Sequence, residues 1–153
     1  STPALALSVL TGFGAGFAVT TVFHEWSHLI GAGLSGGRFD IPQHVSFFVY
    51  DWKFEHNTVR QFYIMSIAGS VGGVLSVVLL ALAVSPDTPG RVALVAGAVA
   101  SFAFGSIIEW PVLRRTLSSG KPLDELSKID RGVLLKALLG SGLAAFLACW
   151  WAA

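Results

Sequence analysis

Four apolar runs separated by polar stretches set the pattern of this chain. They cover about residues 4 to 34, 62 to 84, 92 to 113 and 133 to 151. Each is close to or longer than the roughly 20 residues a helix needs to cross the hydrocarbon core of a bilayer. The pattern predicts an all-α polytopic membrane protein with four transmembrane helices, built as a single membrane domain over residues 1 to 153. Composition agrees with it. Only 12% of the residues are charged and 54% are hydrophobic, where an average soluble domain carries about 25% charged residues.

The stretch from Ser35 to Arg60 breaks the helical pattern. Gly36 and Gly37 end the first run, and Val45 to Phe54 reads VSFFVYDWKF. That segment is β-branched and aromatic, with Asp51 and Lys53 at alternate places. It predicts a short strand-like or re-entrant segment between the first and second helices. Ser85 to Gly90 is a turn-rich link, and Arg114 to Arg131 is a polar loop. Gly12 and Gly16 form a GxxxG pair, and Ala68 to Gly73 is a second patch suited to close helix approach. These patches would also suit a homodimer. Trp150 and Trp151 read as an anchor at the membrane interface.

Charge adds an orientation. Four spans put both termini on one side and the loops 35–60 and 114–131 on the other. Arg91 alone is basic on the terminal side. Arg38, Lys53, Arg60, Arg114, Arg115, Lys121, Lys128 and Arg131 lie opposite, with Lys136 just inside the last helix. The positive-inside rule then assigns those two loops to the cytoplasm. The net charge of +1 gives no reason to expect nucleic acid as a partner. The lone Cys149 permits no intrachain disulfide and reads as packing. The first run lacks a basic leader and is too long for a cleavable signal peptide. The chain opens at Ser1, so sequence before it is expected to be missing or processed.

The chemistry sits in the first run, at His24-Glu25-Trp26-Ser27-His28. Residues four apart share a helix face, so His24 and His28 can offer their imidazoles to one ion. Zinc takes such nitrogens in tetrahedral geometry. Glu25 is turned about 100° round the helix, beside an open coordination position, where it can move protons as a general base and acid. Ionisable groups within a membrane span are costly and mark function. A catalytic zinc needs a third protein ligand. Glu109, the only ionisable residue of the third run, lies at a matching depth, and Pro111 is expected to open that helix and aim it at the metal. Asp124 in the polar loop is the rival. His44 and His56 flank the strand-like segment and could reach the site, although both read as ordinary loop residues.

The residues His24 to Ala32, HEWSHLIGA, resemble the signature of the site-2 protease family of intramembrane zinc metalloproteases, M50. The resemblance covers about residues 5 to 117, with 118–153 as a loop and an additional helix. The family follows its motif helix with a membrane-embedded strand or hairpin, as expected here over 38–58. Its Ala-Gly-Pro-x-x-Asn patch is reduced here to Ala68-Gly69, and Glu109 stands where the family places an Asp ligand. The resemblance implies zinc as cofactor, His24, His28 and Glu109 as ligands, Glu25 as catalytic residue, and cleavage of membrane-embedded protein substrates. The alternative is a catalytically silent subunit of the same fold that scaffolds a larger membrane complex. A transporter or channel has little support, because no chain of intramembrane charges marks an ion path.

Overall fold

The computed structural model describes residues 2–43 and 50–152. Helix α1 spans Thr2–Leu34, α2 Val59–Ala83, α3 Pro89–Ser119, α4 Pro122–Leu126 and α5 Arg131–Ala152. Four of these, all except α4, are long and apolar enough to cross a membrane. The protein is a helical, multi-pass membrane protein. Strands β1 (Phe39–Asp40) and β2 (Asp51–Trp52) pair antiparallel between α1 and α2, with Phe39 opposite Trp52. The expected strand-like segment is therefore present at its C-terminal end. Its residues 45–49, with His44, lie outside the described residues.

Local chemistry fixes where the helices start and stop. Thr58 and Gln61 form a capping box at the start of α2, which satisfies two of the donors that a helix N-terminus leaves free. Thr88 caps α3 and Pro89 takes its first position, where a missing N–H costs nothing. Gly120 closes α3 in the left-handed region, at φ 66°, a conformation glycine adopts without a Cβ penalty. Helix α3 runs six residues beyond the apolar run, through Arg114 and Arg115. Pro111 does not open it. Proline removes one backbone donor, and neighbouring helices can make good that loss inside a membrane protein.

Helix α1 packs along both α2 and α3, and α5 packs on the outside of α3. Contacts between α1 and α3 run in the same direction along both: a side chain at Gly12 would strike the Gly90 carbonyl, one at Gly16 the Leu94 carbonyl, and one at Gly97 the Phe13 carbonyl. The two helices are parallel and touch backbone to backbone. Helix α2 is antiparallel to α1, with Ser76 Oγ donating to Thr20 Oγ1 at 2.9 Å and Gly31 against Ala68. The GxxxG pair of α1 and the glycines of α2 are thus used within one chain. At the hairpin end, Trp52, Phe62, Met65, Val112 and Leu113 form an apolar core with Ala32. Long apolar side chains elsewhere, Trp150 and Trp151 among them, point outward, as a lipid-facing surface requires.

The polar loop after α3 is more ordered than its composition suggests. Helix α4 lies against α3, held by Glu125. That carboxylate is 4% exposed and accepts from Arg115 Nε at 2.9 Å and Lys128 Nζ at 2.8 Å.

Candidate metal centre

His24 and His28 stand one turn apart on α1, with their rings edge to face and 4.5 Å between centroids. Their Nε2 atoms are 2.9 Å apart. Glu109 reaches across from α3 and brings Oε1 to 2.7 Å from His24 Nε2 and 3.3 Å from His28 Nε2. The equal depth follows from sequence arithmetic: His24 is 34 − 24 = 10 residues from the end of α1, and Glu109 is 119 − 109 = 10 from the end of α3. At 1.5 Å per residue, both sit about 15 Å in from the same end.

The orientation of His28 is fixed from behind. Its Nδ1 lies 2.9 Å from the Met65 carbonyl. A carbonyl can only accept, so Nδ1 carries the hydrogen and donates it. In the neutral ring this leaves the Nε2 lone pair facing His24 and Glu109. Such a backing hydrogen bond is the usual way a metal-binding imidazole is held in one tautomer. Space for the ring comes from Gly69, where any Cβ would run into His28. Gly105 and Gly73 lie beside the His24 ring, but a Cβ there would meet it only in ordinary contact, at 3.6 Å and 3.4 Å.

Glu25 stands beside this triangle. One carboxylate oxygen and the two histidine nitrogens lie within 4.8 Å of one another. Tyr50 completes the wall, its ring 6.4 Å from that of His28 and its hydroxyl donating to Met65 Sδ at 2.9 Å. Burial, and then the negative charge of Glu25 and Glu109, push the phenol above its ordinary value, so Tyr50 stays a hydrogen-bond donor at any physiological pH.

These atoms suit a cation. Two imidazole nitrogens and a carboxylate oxygen converge within 3.3 Å, and a proton or a metal ion must lie between them to offset the repulsion of their lone pairs. Glu109 Oε2 is also buried and has no hydrogen-bond partner among the described residues, an arrangement that is costly for a carboxylate left alone. Two imidazoles and one carboxylate are a donor set that zinc takes, with a fourth position left open.

Not every candidate is gathered in. Asp124 lies on α4 at the surface, 63% exposed and 3.9 Å from Lys121 Nζ, and is not gathered with His24 and His28. His56 is exposed beside Glu55 at 3.8 Å. Reading the sequence alone misses the Met65 carbonyl, Tyr50 and the role of Gly69. Only Gly69 carried a signal, as part of a small-residue patch. Comparison of the chain with models of protein families, with curated proteins and with solved structures finds no match.

Proposed function

We propose that the protein is an intramembrane zinc metalloprotease of the site-2 protease type. The observation that carries this reading is the convergence of His24 Nε2, His28 Nε2 and Glu109 Oε1, on two helices long and apolar enough to span a membrane, with Glu25 at its edge. His24, His28 and Glu109 would hold zinc. The ion supplies Lewis acidity toward a peptide carbonyl and toward water. Glu25, adjacent to the ligands but not needed as one, takes a proton from the attacking water and delivers it to the leaving amine. The Met65 carbonyl keeps His28 in the tautomer that presents Nε2.

The concentration of Lys and Arg at the hairpin and α4 end supports an orientation with that end in the cytoplasm. The substrate in this reading is a membrane-embedded protein segment, which must unwind to expose a carbonyl. The reading is tested with Glu25→Gln. Zinc content should stay at the wild-type level while hydrolysis of an unwound transmembrane peptide falls by about 100-fold or more, the scale of general acid–base catalysis. Full hydrolysis by Glu25→Gln would refute the mechanism. A wild-type protein that binds no metal would point instead to the silent scaffolding subunit.

A further inference from the structure

A cavity of about 440 Å³ opens directly from the metal cluster toward α4. Glu25, His28 and Glu109 line one wall. The opposite walls are mainly apolar, formed by Trp52 of β2, Phe62 of α2 and Val112 of α3, with Asp51 beside Trp52 and with Leu126 and Ile129 from the α4 segment at the far end. We propose that this cavity is a specificity pocket that receives one bulky apolar side chain of the peptide next to the bond that is cut. The proposal rests on the metalloprotease reading and adds what that reading leaves open, the kind of residue at the cleavage point.

The argument is one of polarity and reach. The cavity lies in the range of small-ligand pockets, about 300–1,000 Å³, so it holds a large side chain together with its backbone. Glu25, His28 and Glu109 gather at the wall where the chemistry takes place, and the other polar lining residues, Tyr50, Asp51 and Ser66, belong to the hairpin and α2, so the α4 end is apolar. A peptide that places a carbonyl at that wall therefore directs a side chain toward the apolar end. In an extended chain successive side chains point to opposite faces, so only one of two neighbouring residues enters. The far end is also held in place. Glu125, next to Leu126, is locked to Arg115 and Lys128 at 2.9 Å and 2.8 Å, which fixes the α4 segment against α3. Leu126 and Ile129 thus set the length of side chain accepted. In an apolar pocket of defined size, one methylene discriminates by about 10- to 200-fold.

The test uses the full chain in detergent with Cys149→Ala as background and needs neither metal nor substrate. Leu126→Cys and, separately, Ile129→Cys place a thiol in the pocket. Leu123→Cys, at a position 55% exposed on the same helix, is the control. Methyl and benzyl methanethiosulfonate each modify the thiol by forming a mixed disulfide and releasing methanesulfinate. The benzyl-to-methyl rate ratio is expected to be at least about tenfold higher at the pocket positions than at the control. Equal ratios at all three positions overturn the proposal. A parallel titration of zinc-loaded protein with acetohydroxamate and 4-phenylbutanohydroxamate separates it from the reading beneath. Tight acetohydroxamate binding that the phenyl tail does not improve, with equal thiol ratios, removes the pocket and keeps the metal site. Raised thiol ratios with no binding of either hydroxamate keep the pocket and remove the metal site.

Discussion

An isolated carboxylate in an apolar helix needs a partner, and Glu109 has two, His24 and His28. This need made the pairing legible in the sequence, since charge inside a span is costly unless it is used. The supporting residues were not legible, because they carry no charge. Gly69 could as well have served helix packing, and a backbone acceptor such as the Met65 carbonyl has no sequence signal at all. Gly69 offers a test of this support. Gly69→Ala puts a methyl group into the space of the His28 ring and should weaken metal affinity by about 10- to 100-fold, the usual effect of disturbing what orients a ligand. Competition with a fluorescent zinc chelator measures it, and unchanged affinity would mean that His28 is not held as described.

Among the elements, α1 and α3 matter most, because the two halves of the cluster sit on them. Their parallel contact depends on bare backbone at Gly16, which touches the Leu94 carbonyl, whereas nothing lies within 4 Å of where a Gly14 side chain would begin. Gly16→Val should therefore push the helices apart, lower the melting temperature and abolish metal binding, while Gly14→Val leaves both unchanged. Thermal unfolding and metal content of the two variants decide it. The four long helices were readable from their apolar runs, since length and composition alone meet the demand of the bilayer. Helix α4 was not, because a carboxylate such as Glu125 in a polar loop looks solvated until its burial is seen. Pro111 was misleading for a related reason. Its cost depends on what surrounds the helix, and α3 is flanked by α1 and α5.

At the scale of the whole molecule, two features should respond to solution conditions. Lys128 first, and also Arg115, hold the Glu125 carboxyl below its ordinary range. A lowered folded-state value means that the link between α4 and α3 is fully present above the unfolded carboxyl value of about 4.3 and is lost as pH falls from there through the lowered folded-state value. Protease nicking of the 120–130 segment should accordingly rise in acid only below the ordinary carboxyl range, and Glu125→Gln should show the raised nicking already at neutral pH. Orientation is the second. In a Cys149→Ala background, a cysteine at Ser35 should react with an impermeant thiol reagent only after cells are opened, and one at Asp87 in intact cells. The reverse pattern would overturn the cytoplasmic assignment of the hairpin end.

The central claim is that His24, His28 and Glu109 hold one metal ion. Elemental analysis of the purified protein beside His28→Ala, Glu109→Ala and Asp124→Ala tests it most directly. The account predicts one zinc per chain in the wild type and in Asp124→Ala, and close to none in the other two. Zinc retained in Glu109→Ala, or absent from the wild type after zinc is supplied, would contradict it.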